Sequence, residues 1–235
     1  MISQAELKNI LFIDVETVPQ ARDYAGLDKL FVTLWNRKAQ KIATKEEDTP
    51  ENLYQRAGIY AEFGKIICIS SGYFHNDEFR IKSFYGDDEK EILIGFASLL
   101  EKHFYRPEHK LCAHNGKEFD FPYIARRMLI NGVPLPKMLC IQGKKPWEIQ
   151  HLDTMELWKF GDYKNFTSLE LLAAVLGIHT PKDDINGSEV ARVYWEEHNL
   201  QRIVKYCQKD VLTIAQVLLR FSGAETISDE KVIIF

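Results

Sequence analysis

The chain has 235 residues, of which 46% are hydrophobic and 27% are charged, and its formal net charge is −4 at pH 7. This composition is typical of a globular protein with a substantial core, and we expect a single domain over residues 1–235. The negative charge argues against a protein that coats polyanions in general, although a local basic groove remains compatible with it. We find no signal peptide and no apolar run long enough to cross a bilayer, so we expect a cytoplasmic protein.

The four cysteines are dispersed along the chain and form no Cys-x-x-Cys pair. Three of them are embedded among apolar residues, which predicts reduced core thiols and no zinc site. The cysteines are Cys68, Cys112, Cys140 and Cys207.

Four consecutive apolar residues from Ile10 to Ile13 predict a short strand that is buried on both faces and lies in the middle of a sheet. Asp14 and Glu16 follow at its C-terminal end, and the alternation of a strand points both carboxylates to the same face. Two adjacent anions raise each other's pKa unless a cation lies between them. The pair is therefore typical of half of a divalent-metal site, while a solvated strand end is the open alternative.

The segment 21–63 predicts two helices ahead of the second strand. Apolar residues at helical spacing indicate a first helix over 27–42. Thr49-Pro50-Glu51 offers an N-cap, a proline at the first helical position and a first-turn acid for a second helix that runs to about Phe63. We interpret this segment as a helical insertion that covers one side of the opening strand or forms a lid.

From residue 65 onward, apolar runs typical of strands alternate with amphipathic stretches typical of helices. This alternation predicts an α/β sheet with the opening strand near its centre. The further predicted strands lie at 65–74, 78–85, 111–113 and 149–152. The further predicted helices lie at 89–104, about 120–130, 168–177 and about 200–221.

A third acid, Asp120, follows the strand at 111–113 and lies close to the start of the next helix. Taken alone, Asp120 is as typical of a helix-capping or first-turn acid as of a ligand. Sites in open α/β sheets form beyond the carboxyl ends of the strands, however. This rule places Asp120 at the same sheet edge as Asp14 and Glu16.

Several other polar positions have weaker signals. Asp153 and Glu156, three residues apart, fit a helix-capping pair better than a ligand. The stretch 158–166 mixes aromatics with lysines, as single-strand binding surfaces do, although core anchoring explains aromatics at least as often. Lys144-Lys145 and Arg126-Arg127 are candidate phosphate contacts, and solvated surface is the commoner explanation of such pairs.

Tyr206 and Asp210 are four residues apart on the final predicted helix and therefore share one face. Apolar neighbours such as Val211 predict that Asp210 is partly buried. A buried carboxylate needs a partner, and a metal shared with Asp14 and Glu16 would supply one. The open alternative is a tyrosine in the core and an aspartate in water.

Three motifs occur in order: Asp-x-Glu at a strand end, Asn-x-x-x-Phe-Asp at a helix start and Tyr-x-x-x-Asp on a late helix. Together they resemble the motifs of the DEDD (DnaQ-like) 3′-to-5′ exonucleases. The tyrosine indicates the tyrosine branch, since the histidine branch would need a histidine where this chain has Lys205. The motif sequences at 12–17 and 115–124 are similar to those of the proofreading domain of family B DNA polymerases. No polymerase domain follows, so we expect a stand-alone exonuclease whose resemblance covers residues 10 to about 218.

The resemblance implies a ribonuclease-H-like α/β fold with a mixed five-stranded central sheet flanked by helices. It implies two divalent cations, Mg²⁺ or Mn²⁺, about 3.5–4 Å apart. Asp14 would bridge both cations, Glu16 and Asp210 would complete one site, and Asp120 would hold the second cation through water. Tyr206 would orient the attacking water, because a phenol with a pKa near 10 is a poor base at neutral pH.

The resemblance further implies a single-stranded substrate, with DNA favoured over RNA, and release of nucleoside 5′-monophosphates. A polymerase or a repair protein is an expected type of partner. An exoribonuclease on short RNA would use the same four acids and remains an alternative. A non-catalytic module that binds single strands or a protein partner is another. A phosphate-loop protein or a Ser/His/Asp hydrolase is disfavoured by the motifs present. The implied substrate-binding residues are Thr17, Val18, Asn115 and Phe119.

Overall fold

The computed structural model describes residues 4–162, 164, 166–179 and 185–235. Its centre is a mixed sheet whose strand order within these residues is β5-β4-β1-β2-β3-β6. β1, β2 and β3 form an antiparallel meander, and β4, β5 and β6 add to it in parallel. The strands are β1 Ile10–Pro19, β2 Gly64–His75, β3 Glu78–Tyr85, β4 Lys110–Ala113, β5 Leu152–Asp153 and β6 Val232–Ile234.

Helices cover both faces of this sheet, as expected for an α/β fold. No helix in the described part of the chain is long and apolar enough to cross a membrane. The helices are α1 Gln4–Leu7, α2 Lys29–Ile42, α3 Pro50–Tyr54, α4 Glu89–His103, α5 Asp120–Ile130, α6 Thr154–Lys159, α7 Leu169–Val175, α8 Val190–Trp195 and α9 Leu200–Phe221.

Strand β1 lies in the interior of the sheet and is buried on both faces, which confirms its expected central place. Leu11 and Ile13 belong to one core cluster together with residues of α4 and α5. Ile10 and Phe12 belong to a second cluster together with residues of α9. Because alternate residues share a face, Asp14 and Glu16 lie on the α9 side of the sheet.

The prediction of five strands was wrong, since the described residues form six. The added strand β6 has three residues and pairs with β3 through Phe79 and Val232. Three residues are too few to show the alternation of a strand. The pairing joins positions more than 150 residues apart, so local sequence does not reveal it.

Two predicted elements are shorter than expected. The helix predicted to reach Phe63 ends at Tyr54 and is followed by a 3₁₀ turn at Ala57–Ile59. In this turn Gly58 lies so close to β1 that a Cβ atom there would be 3.0 Å from the carbonyl carbon of Val18, so the chain leaves the helix to pack against the strand. Of the strand predicted at 149–152, only Leu152 lies in β5, which is displaced to Leu152–Asp153. Leu111 N–H donates to the imidazole of His151 at 3.2 Å, where a paired strand would offer a backbone carbonyl.

Helices α2 and α3 pack around Trp35, which is fully buried and donates a 2.7 Å hydrogen bond to the carbonyl of Pro50. The interpretation of 21–63 as an insertion, like the single domain over 1–235, stays a prediction. The four cysteines are free thiols, as predicted. Cys140 is partly exposed and the other three are buried.

Candidate active site

Four acidic side chains lie near one another, just beyond the end of β4. Asp14 and Glu16 come from β1, and Asp120 is the first residue of α5, which follows β4. The prediction that Asp14 and Glu16 follow the end of their strand was wrong, because β1 stays paired with β2 and continues to Pro19. β4 pairs only with Ile10–Phe12 of β1 and ends at Ala113, so the two acids lie within β1, just beyond the end of β4. Asp210 comes from α9. The carboxylates are close enough for their charges to raise one another's pKa values.

Burial dominates the titration of these acids. It raises the pKa of Asp14 from 3.8 to about 7, and the charge of Asp120 adds to the rise. Burial likewise raises the pKa of Asp120 to about 8, with smaller contributions from Asp153 and Asp210. The pKa of Glu16 lies well above its ordinary value, first because of burial and then because of Asp14 and Asp210. When these acids are ionised together, their surroundings do not compensate the negative charge, and the raised pKa values express this.

The donor atoms of this cluster fit a divalent cation. Asp14 Oδ2 is buried and has no hydrogen-bond partner among the described residues. One ligand atom each of Asp14, Glu16 and Cys207 lie within 4.8 Å of one another. A buried carboxylate oxygen without a partner is costly, and a cation beside it removes that cost. The Cys207 thiol also donates to the backbone carbonyl oxygen of Asp14 at 3.4 Å.

Tyr206 lies one turn before Asp210 on α9 and is partly buried. Its pKa is raised far above 10, first by burial and then by the charges of Asp210 and Glu16. The hydroxyl therefore keeps its proton at neutral pH and can donate a hydrogen bond beside the carboxylates. This protonation state suits a group that orients water and does not suit a general base.

The turn between β4 and α5 is held by Asp153. Its buried carboxylate accepts hydrogen bonds from Asn115 N at 2.9 Å and Lys117 N at 3.1 Å. It also caps α6 through Met155 N and Glu156 N, which confirms the predicted capping pattern. The contact with the β4–α5 turn was missed. Its position at the end of β5, parallel to β4, was the available signal, because strand ends at one edge meet.

The Asn115 side chain is presented by an unusual backbone. Its φ of 62° lies in the left-handed region, which asparagine tolerates better than most residues. Its Oδ1 atom is buried without a hydrogen-bond partner in the described part of the chain. A buried amide oxygen of this kind is available to a ligand.

The other predicted substrate residues differ in accessibility. Thr17 is partly buried, directly after a register shift in the β1–β2 pairing, and is hydrogen-bonded to Tyr123. Phe119 is also partly buried, with its ring 5.2 Å from that of Tyr123. Val18 is fully buried in a core cluster. Substrate binding by Val18 stays a prediction, and with this side chain in the core the contact would come from its backbone.

The aromatic and lysine-rich stretch 158–166 anchors one ring in the core and exposes others, and its use in single-strand binding stays a prediction. Trp158 stacks on Phe221 with ring centroids 6.0 Å apart, which is core anchoring. Phe160 and Phe166 are 88% and 67% exposed, and Lys159 Nζ lies 4.5 Å from the centre of the Phe166 ring. Tyr163 and Asn165, which belong to the same stretch, lie outside the described residues.

Without divalent cations, we expect the buried acids to make the protein less stable as the pH rises from about 4 to about 8. Asp14 and Asp120 titrate near 3.8 in an unfolded chain but at about 7 and about 8 in the folded protein, so the folded state binds more protons in this window. Mn²⁺ added at pH 8 should restore stability, because the cation replaces the protons. The measurement is thermal unfolding in EDTA against pH.

The control for this prediction is the double variant Asp14→Asn/Asp120→Asn. Buried His114 and His151 have lowered pKa values, so they bind fewer protons when folded and add a stability that rises with pH below about 6.5. Subtracting the melting curves of the variant removes this contribution. A wild-type protein whose melting temperature rises with pH relative to the variant would contradict the prediction.

An acidic cluster beside the end of β4 in a mixed α/β sheet is an arrangement that can hold divalent cations. Residues 59–232 match the sequence profile of the family described as "Predicted 3'-5' exonuclease related to the exonuclease domain of PolB". This match spans most of the chain, and the chain belongs to that family. The matched range contains Asp120, Tyr206 and Asp210 and begins downstream of Asp14 and Glu16. Exonucleases of this type normally use divalent metals.

Solved structures with the same fold include the family B DNA polymerase from the hyperthermophilic archaeon Pyrobaculum calidifontis, at a TM-score of 0.53 and 16% identity. The similarity covers 89% of this chain and 24% of the polymerase, so this chain spans about a quarter of the polymerase's length. The RNase domain of the yeast Pop2 protein matches at a TM-score of 0.42 and 14% identity, over 97% of this chain and 82% of that one. At 16% identity the likeness to the polymerase concerns the fold alone.

Proposed function

We propose that this protein is a metal-dependent 3′-to-5′ exonuclease of the tyrosine branch that acts on single-stranded DNA and releases nucleoside 5′-monophosphates. The observation that carries the proposal is the group of buried and partly buried carboxylates from β1, α5 and α9, in which Asp14 Oδ2 has no hydrogen-bond partner among the described residues. Carboxylate oxygens favour hard cations, and Mg²⁺ or Mn²⁺ fits them best. The preference for DNA is supported by the relation of the family to a DNA polymerase exonuclease domain.

Asp14, Glu16 and Asp210 are the proposed ligands of one cation, with Asp14 and Asp120 serving a second. Two such cations, when bound, lower the pKa of an attacking water and stabilise the departing 3′-oxygen. The protonated Tyr206 hydroxyl donates a hydrogen bond that orients this water.

The terminal nucleotide is proposed to lie between β1 and the β4–α5 turn. Asn115 Oδ1, which is buried and unpartnered, accepts a hydrogen bond from the nucleotide. Thr17 contacts it from the β1 side, and Phe119 packs beside it. Each of these groups belongs to an element whose position is set by the sheet, so the substrate end meets a preorganised site.

The experiment that tests the proposal is a time course on a 5′-labelled single-stranded DNA and on its matched RNA, with Mg²⁺ or Mn²⁺ and with EDTA. The expected result is a ladder that shortens from the 3′ end of the DNA and stops when the metal is chelated. Faster shortening of the RNA would overturn the DNA preference. If neither strand is shortened, the proposed exonuclease activity would be contradicted, and a non-catalytic binding role on the same fold would be the remaining proposal.

In the same assay, Tyr206→Phe is expected to lower turnover by about a hundredfold or more while Mn²⁺ binding stays unchanged, because only the water-orienting hydroxyl is removed. The matched control is Tyr105→Phe, which removes the hydroxyl of a tyrosine that is 56% exposed and follows the end of α4. It should keep wild-type turnover. Full activity in Tyr206→Phe would contradict the assigned role.

A further inference from the structure

A groove of about 650 Å³ runs along α5, from Asn115 at the β4–α5 turn to Leu129 near the end of the helix. We call it the α5 groove. One end therefore adjoins the proposed site of the terminal nucleotide. Its floor is apolar and includes Ala125, Leu129, Leu135, Leu139, Ile141 and Met155.

The charges around the α5 groove are not balanced. Lys117 and Glu156 neutralise each other in an ion pair with a 2.5 Å separation. Among the remaining described residues that line the groove, Arg126, Lys144 and Lys159 are cationic and Glu118 is an uncompensated anion. The Asp153 carboxylate is buried and used by backbone N–H groups. The described residues that line the groove thus carry four cations against three anions, a small positive excess in a chain whose net charge is −4.

The two arginines that were candidate phosphate contacts have different surroundings. Arg127 is buried and paired with Glu89, so it is closed to any ligand. Arg126 is exposed and lines the groove. Lys144 is likewise exposed on the opposite wall. These two cations are available to phosphates.

We propose that the α5 groove binds the single strand upstream of the 3′ end, with bases on the apolar floor and phosphates on Arg126, Lys144 and Lys159. This inference rests on the proposed function, since it extends the path of the same substrate. The described lining of the groove is aliphatic, so bases would pack on it by apolar contact and not by the aromatic stacking of many single-strand sites, while the cations hold the phosphates as they do there. An apolar peptide would occupy the floor and leave the cations without partners, so the charges favour a polyanion. The helix is about 16 Å long, which corresponds to about five stacked nucleotides at roughly 3.4 Å each.

The test compares kcat/KM on DNA oligonucleotides of two to twelve nucleotides. In the wild type, kcat/KM should rise with length until the groove is filled and then level off. The variant Arg126→Glu/Lys144→Glu should keep wild-type kcat/KM on the dinucleotide and lose at least about tenfold on the twelve-nucleotide strand. The control Lys29→Glu/Lys41→Glu makes the same change in charge at exposed positions of α2 and should behave like the wild type.

A binding measurement separates the groove from the chemistry. Fluorescence anisotropy of a labelled twelve-nucleotide DNA in EDTA reports affinity without turnover. For the groove variant, the slope of log K against log salt should be smaller by about 1.4, since each lost phosphate contact on a single strand contributes about 0.7. If the protein binds DNA with this change in slope but cleaves no DNA, the result would support DNA binding in the α5 groove and contradict the proposed exonuclease activity. If the groove variant is active and its kcat/KM depends on DNA length as in the wild type, DNA binding in the α5 groove would be contradicted. A protein partner bound in the groove would contradict it as well.

Discussion

Asp14→Asn is expected to lower exonuclease turnover by more than about a hundredfold while stabilising the metal-free protein. Loss of residues that merely orient metal ligands costs 10–100-fold in many sites, and Asp14 is proposed as a direct ligand to both cations. The same substitution removes a buried charge whose pKa is raised to about 7 by burial and by Asp120. In EDTA at pH 8, the free energy of unfolding should therefore rise.

This opposite response of activity and stability distinguishes a functional acid from a structural one. The two measurements are cleavage of a 5′-labelled DNA with Mn²⁺ and urea unfolding in EDTA. The matched control is Asp77→Asn at the exposed β2–β3 turn, which should change neither. Turnover near the wild-type value in Asp14→Asn would remove Asp14 from the proposed mechanism. A large loss of stability in EDTA would instead mean that the acid holds the fold together.

Arg127→Met is expected to lower the free energy of unfolding by about 3–5 kcal/mol, the usual cost of leaving one partner of a buried ion pair alone. Arg127 Nε and Nη2 donate to the two carboxylate oxygens of Glu89 at 2.8 and 2.5 Å. Both side chains are 8% exposed. Glu89 also accepts from Ile66 N at 2.7 Å, and Arg127 Nη1 donates to Ala61 O at 2.8 Å. The pair therefore joins α4, α5, β2 and the end of the 21–63 segment.

The measurement is urea unfolding followed by circular dichroism. The double variant Glu89→Leu/Arg127→Met should recover much of the loss, because no unpaired charge remains. The matched control is Arg80→Met, whose ion pair with Glu78 lies at the surface and should leave the urea midpoint nearly unchanged. A midpoint for Arg127→Met as close to the wild type as that of Arg80→Met would contradict the prediction.

Long local patterns predicted their elements well. The final helix, expected at about 200–221, is α9 Leu200–Phe221, and the hairpin strand expected at 78–85 is β3 Glu78–Tyr85. A stripe repeated over several helical turns, or an alternation over eight residues, is a property of neighbouring residues. Elements that depend on a distant partner were missed or misjudged. The strand β6 forms by pairing with β3. Helix α3 ends early, and the chain after it packs closely against β1 at Gly58.

The sequence by itself determined which helix carries Tyr206 and Asp210 and the capping role of Asp153, since each follows from residues a few positions apart. It placed the end of the first strand before Asp14, whereas pairing with the distant strand β2 extends β1 to Pro19. The tertiary structure decided which charged side chains form ion pairs and which are exposed to a ligand. Arg126 and Arg127 are adjacent in sequence, yet one faces the α5 groove and the other is buried against Glu89. Adjacent helical residues point about 100° apart, and burial of either depends on what packs against that side. Only the packed fold supplies that neighbour, here Glu89 from α4.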